Sequence, residues 1–284
     1  MTVKLLILDF DGTFTDSEVE GAPFAAVYPQ IIAAAAGAGT EFAALWPAAL
    51  AQTRHDSPTF GWRMNGKDAA PADADPYIRC SMAAHKVLDQ LGLVMTPAQR
   101  DQLLAQTYQQ SYVHSGIAFR PHAGEALQAL LDRGIAVVVV TNSSTGHVQH
   151  KINQLGLRDP SRVTVFGNAM KFWIDAGQTG DARFDDLQEA EVSPSLGRPL
   201  WVKRSRYFAL FAELWQEHGA DAATTAVCGD IYELDLALPA ALGCRVALMR
   251  RQNTYAFELE AVAAKGPRGI VLDDLRQLAE WIGP

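Results

Sequence analysis

The chain has 284 residues, 49% of them hydrophobic, which is enough for one large domain or two smaller ones with a packed core. A formal net charge of -8 argues against a nucleic-acid-binding surface, although one pocket can still concentrate positive charge. Three cysteines without metal-ligand spacing argue against a disulfide framework, and the alanine-rich run 31–38 is too short to span a bilayer. With no export signal legible, a cytoplasmic protein without membrane or nucleic-acid partners is expected.

The first element is the apolar run Leu5-Leu6-Ile7-Leu8, which ends abruptly in Asp9-Phe10-Asp11-Gly12-Thr13. A wholly apolar strand belongs inside a parallel sheet, and such sheets place ligands beyond the carboxyl ends of their strands. Residues 16–119 then carry helical patterns and no convincing buried strand, so they read as an inserted, mainly helical domain. Within it, Thr53 to Pro76 is rich in Pro, Gly, Asp and Asn and reads as a long loop.

Strand and helix alternate after Pro121. Buried strands are expected at Ile135 to Val140, Val163 to Phe166, Thr224 to Cys228, Arg245 to Met249 and Gly269 to Leu272. Helices are expected at Gly124 to Arg133, closed by Gly134, and at Arg206 to His218. Between Gly167 and Pro199 the pattern is irregular, and Met170 to Ile174 with Pro199 to Val202 suggests a small hairpin. This order predicts an α/β doubly wound parallel sheet, Rossmann-like, with core residues 1–15 and 120–284 and an insert at 16–119.

The chemistry lies at the strand ends. Asp9 can attack an electrophile, and Asp11 can give a proton to a leaving group and later take one from water. A carboxylate attacking a phosphate dianion needs charge neutralisation, which Mg²⁺ held by carboxylates supplies. Asp230, which follows the strand ending at Cys228, and Asp235 shortly after it are candidate metal ligands, although a lone Asp there would more often cap a helix. Thr141 and Asn142 close another strand at a helix start, a ready anion site, and Lys203 stands before the Arg206 helix.

Together these residues resemble the haloacid dehalogenase superfamily. Asp9-Phe10-Asp11-Gly12-Thr13 matches its first motif, Thr141-Asn142 its second, Lys203 its third, and Gly229-Asp230 with Asp235 its fourth. The resemblance implies a helical cap inserted after the first motif and Mg²⁺-dependent phosphoryl transfer through an aspartyl-phosphate on Asp9. Asp11 would be the general acid-base and bind the metal through its backbone carbonyl. Asp9, Asp230 and Asp235 would complete the metal site; Thr141, Asn142 and Lys203 would hold the phosphate. Arg204 stands where the family usually has Pro, which makes Lys171 a rival for the role of Lys203.

The expected activity is therefore a phosphatase for a small phosphorylated metabolite. A phosphomutase would use the same intermediate, and a non-catalytic metal- or phosphate-binding protein could retain the same scaffold. Dehalogenation would leave Asp11 without a purpose, and phosphonate cleavage would need a cap amine for which Lys67 is a weak candidate. Gly61 to Asp68 nearly spells a nucleotide phosphate loop, but Asp68 replaces the needed hydroxyl and no buried strand precedes it. Its Arg63 and Lys67, with Arg54 and His55, are candidate substrate contacts. His147 and His150 read as surface residues, and the scattered tryptophans as packing residues.

Overall fold

A computed structural model describes residues 2–175 and 177–283. In chain order the strands are β1 (Leu5–Leu8), β2 (Gly61–Met64), β3 (Lys67–Pro71), β4 (Ala136–Val140), β5 (Thr164–Phe166), β6 (Ala190–Val192), β7 (Pro199–Trp201), β8 (Thr225–Gly229), β9 (Arg245–Met249) and β10 (Gly269–Leu272). The helices are α1 (Ser17–Ala35), α2 (Gly39–Asp56), α3 (Pro76–Leu91), α4 (Pro97–Tyr112), α5 (Ala123–Asp132), α6 (Thr145–Ile152), α7 (Ala182–Asp185), α8 (Ser205–His218), α9 (Ala237–Leu242), α10 (Ala256–Ala263) and α11 (Arg276–Ile282).

Six strands form one parallel sheet in the order β10-β9-β8-β1-β4-β5. The central strand is β1, with Leu8 opposite Val139 of β4 on one side and Cys228 of β8 on the other. Its side chains divide with period two. Leu6 and Leu8 join Val137, Val139 and the apolar faces of α5, α6 and α11, whereas Leu5 and Ile7 join Val138, Val140 and residues of α8, α9 and α10. The chain winds outward from β1 to β4 and β5, then returns across β1 to β8. Strand order therefore reverses between β1 and β8, the point where such sheets open a crevice.

Two compact units emerge. The first contains Met1–Asp16, Arg63–Ala70 and Phe119–Pro284; the second contains Ser17–Trp62 and Pro71–Ala118. The second unit packs α1 to α4 around Phe24, Tyr28, Ile32, Phe42, Val87 and Leu88. Two of its helix starts are locally encoded: Asp75 caps α3 through Ile78 N–H at 2.7 Å, and Thr96 forms a capping box with Gln99 before α4.

Two expectations need correction. The stretch expected as a loop between Thr53 and Pro76 extends α2 to Asp56 and then forms the β2–β3 hairpin. Asn65 and Gly66 turn it, both at positive φ (52° and 76°), as a two-residue hairpin turn requires. Residues 63–70 accordingly belong to the first unit, although the sequence places them within the insert. The strand at Pro199 does form a hairpin, but it pairs antiparallel with Ala190–Val192, and Met170 to Ile174 is turn and coil. Among the described residues no helix is long and apolar enough to cross a membrane.

Candidate active site

The ends of β1 and β8 bring three carboxylates together. Asp9, Asp230 and Asp235 are all buried, and each offers an oxygen within 4.8 Å of the others. Among the described residues this is the one group of three potential metal ligands, and neither His147 nor His150 joins it. Asp9 follows β1, its N–H donating to the Cys228 carbonyl at 2.8 Å. The Thr13 hydroxyl lies 3.0 Å from Asp9 Oδ2 and 3.4 Å from Asp230 Oδ1. A single π-helical turn, Tyr232–Leu236, carries Asp235 back so that its Oδ2 accepts the N–H groups of Asp230 (3.2 Å) and Ile231 (3.0 Å).

Two glycines make this approach feasible. A Cβ on Gly12, which has φ of 89°, would collide with the Asp230 carboxylate, and one on Gly229 would collide with the Asp235 side chain. Arg120 donates to the Gly12 carbonyl through Nε (2.9 Å) and a terminal nitrogen (2.7 Å), which pins the loop from the side where the chain returns from the insert.

The compensating cation is Lys171, buried to 1% exposure, with Nζ 2.6 Å from Asp9 Oδ1 and 2.5 Å from Asp235 Oδ1. Burial alone would lower its pKa, but Asp235 and Asp9 outweigh that and hold the amine above the ordinary lysine range. Asp9 is displaced upward: burial is the main cause, Asp235 and Asp230 add to it, and Lys171 offsets part. Arg251, whose guanidinium lies 3.6 Å from Asp230 Oδ2, also pairs with Glu258, so four buried carboxylates face two buried cations and a negative excess remains. An oxygen-only donor set of this kind fits a hard divalent cation.

Lys203, the lysine expected here from the motif order, lies elsewhere. Its ammonium donates to the Asp185 carbonyl at 2.7 Å and sits 5.6 Å from the centre of the Phe184 ring. The adjacent Arg204 is the residue that bears on the site. It is wholly buried and donates to the carbonyls of Lys171 (2.6 Å) and Ala69 (3.0 Å), so it closes the neck of the 172–203 excursion and returns the chain to Lys171 before α8 begins. Burial pushes its guanidinium down to about 10, with the charges of Glu233 and Asp235 offsetting part of the shift.

The loop after β4 completes the surroundings. Thr141 is buried, its hydroxyl accepting the Ser143 N–H at 3.1 Å, and its carbonyl accepts the Ala169 N–H at 2.9 Å. Asn142 Oδ1 accepts the Lys171 N–H at 2.8 Å, so its side chain positions the lysine loop. Asp11 stands apart from the carboxylate group: its Oδ1 lies 2.6 Å from the buried Lys151 of α6. Behind Asp230, Arg251 donates to that residue's carbonyl and pairs with Glu258 at 2.8 Å, while Glu258 accepts the Tyr232 N–H at 3.0 Å and so anchors the π turn.

Sequence reasoning did not single out Lys151, Arg120 or Arg251, because each reads as an ordinary surface charge until the fold buries Lys151 and Arg251 and sets Arg120, half-buried, on the Gly12 carbonyl. The candidate substrate cations are engaged otherwise: Arg63 with Asp68 at 3.4 Å, Lys67 over the Trp201 ring at 4.2 Å, and Arg54 near Asp73 at 4.0 Å. A groove of about 360 Å³ in the second unit, lined by Pro29, Gln30, Ala33 and Trp46, has no ionisable lining residue.

Residues 3–243 match the family model described as a haloacid dehalogenase-like hydrolase. The chain belongs to that hydrolase family. Solved structures with the same fold include one described as a predicted phosphoglycolate phosphatase from Haemophilus somnus 129PT (18% identity, TM-score 0.57, 99% of this chain and 98% of that one). A haloacid dehalogenase-like hydrolase from Bacteroides fragilis aligns at 14% identity and TM-score 0.55, over 98% of this chain and all of that one. YfnB from Bacillus subtilis, described as a HAD-hydrolase bound to magnesium, aligns at 12% identity and TM-score 0.52 over the whole of both chains. Among curated proteins none matches. At these identities the structural likeness concerns the fold.

Proposed function

We propose that this hydrolase is a Mg²⁺-dependent phosphatase acting on a small phosphorylated metabolite. The observation that carries the reading is the buried group of Asp9, Asp230 and Asp235 with Lys171 on one side and Asp11 two residues beyond Asp9. Asp9, Asp230 and Asp235 would hold the cation, with Asp11 contributing its backbone carbonyl. When bound, Mg²⁺ neutralises charge on the phosphoryl group and so makes attack by a carboxylate feasible.

The remaining roles belong to the chain. Asp9 attacks phosphorus while Lys171, Thr141 and Asn142 hold the phosphoryl oxygens, with Lys171 taking the part that motif order alone gives to Lys203. Asp11 protonates the departing alcohol and then deprotonates the water that hydrolyses the aspartyl-phosphate. Carbon–halogen displacement needs no such acid, which favours phosphoryl transfer. The magnesium-bound YfnB structure and the neighbour described as a predicted phosphoglycolate phosphatase agree with this reading. Three free, buried cysteines suit a reducing cytoplasm.

The test is phosphate release from p-nitrophenyl phosphate. Purified protein should turn it over only with Mg²⁺, and Asp9→Asn should abolish turnover. Wild-type silence across a broad panel of phosphorylated metabolites, with metal-dependent stabilisation retained, would point instead to a binding protein.

A further inference from the structure

Asp11 and Lys151 form a second carboxylate–ammonium pair, distinct from the one made by Asp9 and Lys171. Lys151 belongs to the last turn of α6, a position from which a lysine ordinarily runs out to solvent. Here it is 2% exposed, and its ammonium lies 2.6 Å from Asp11 Oδ1. A buried ammonium is costly without a charged partner, so this pairing fixes both side chains. The other oxygen, Asp11 Oδ2, is buried and has no hydrogen-bond partner among the described residues. Buried carboxylate oxygens are rarely left so, and an uncommitted one beside a nucleophile is a place for a group that substrate brings.

We propose that Lys151 is a positioning residue for the acid-base step: by holding Oδ1 it presents Oδ2 as the oxygen that exchanges the proton with the departing substrate oxygen. This inference rests on the phosphatase reading and adds a residue that the four motifs do not contain. In the step concerned, a carboxylate oxygen of Asp9 bonds to phosphorus as the bond from phosphorus to the alcohol oxygen breaks. The electron pair stays on that oxygen, which takes the proton from Asp11 Oδ2. Asp11 is left as a carboxylate, still held through Oδ1, in the form required to accept a proton from water in the second half-reaction.

The experiment compares two esters of similar shape, p-nitrophenyl phosphate and p-nitrobenzyl phosphate. The first has a leaving group that departs without help, whereas the second releases an alkoxide that needs the proton. The value of kcat/KM covers the steps through phosphorylation of Asp9. For Lys151→Met it should fall by about tenfold or more on the benzyl ester and by no more than about twofold on the aryl ester, part of the about 10²- to 10⁴-fold that general acids supply. Lys151→Arg, which keeps a donor at that place, should recover most of the loss. The ratio of the two values does not depend on how much of the variant is folded.

An equal loss on both esters, or no loss on either, overturns the proposal. So does a wild-type enzyme that cleaves the aryl ester and not the benzyl ester, since no working proton donor would then be present. Wild-type failure on both esters would strike the phosphatase reading itself.

Discussion

The side-chain carbonyl of Asn142 accepts the backbone N–H of Lys171 at 2.8 Å, tying the loop after β4 to the loop that carries the site's ammonium. Arg204 grips the carbonyl of the same residue at 2.6 Å, so both sides of the Lys171 backbone are held before its side chain reaches Asp9 and Asp235.

Lys171→Met should therefore lower kcat/KM for phosphate release by about 100-fold or more, the usual loss when one preorganised electrostatic group is removed. Lys203→Met should leave it nearly unchanged, because that ammonium is committed to the Asp185 carbonyl. Steady-state kinetics on the two variants decides between the lysines, and the reverse pattern would return the role to Lys203.

Arg204→Ala should destabilise the protein through the carbonyls it abandons. Lys171 and Ala69 would each keep a buried acceptor without this donor, at about 1–3 kcal/mol apiece. Denaturant unfolding should show a lower midpoint together with reduced turnover, and an unchanged midpoint would mean that other donors take over.

The pH dependence of Mg²⁺ stabilisation follows from Asp9. Its folded pKa lies above the ordinary 3.8, chiefly through burial and then through Asp235 and Asp230, with Lys171 offsetting part. In the window from that value up to the raised one, the folded state holds more protons than the unfolded state, so raising the pH lowers the stability of the metal-free protein. A cation must displace the same proton, and its hold tightens as pH rises. The gain in Tm on adding Mg²⁺ should consequently be larger at pH 7.5 than at pH 5. A gain that is equal or larger at pH 5 would contradict the assignment of Asp9 to the metal.

Gly12→Ala should impair the site from the backbone outward. The substitution places a methyl group against the Asp230 carboxylate at a φ of 89°, and overpacking of this kind costs about 1–3 kcal/mol. Thermal melts with and without Mg²⁺ should show a lower Tm and a smaller response to the metal. Retention of the full response would show that the Asp9–Thr13 loop can relax.

The sheet was legible because strands buried on both faces read as apolar runs, and Leu5 to Leu8 or Val137 to Val140 leave little else to be. The carboxylates at the ends of β1 and β8 were legible for the same reason, since each breaks such a run abruptly. The choice of lysine was not, because distance along the chain does not say which amine the fold returns. Arg204 closes a long excursion that makes Lys171, remote from α8 in sequence, its neighbour in space. The β2–β3 hairpin was hidden by its short, polar strands, although Asn65-Gly66 carried the turn signal. Lys151 gave no sign, because burial of a helix lysine depends on what packs over that helix.

The central claim is that Asp9 becomes phosphorylated. Acid quenching during turnover of p-nitrophenyl phosphate with Mg²⁺, followed by peptide mass spectrometry, tests it directly. The Asp9 peptide should carry one added phosphoryl group in the wild type and none in Asp9→Asn. Full turnover by Asp9→Asn, or a phosphoryl group found on another residue, would contradict it.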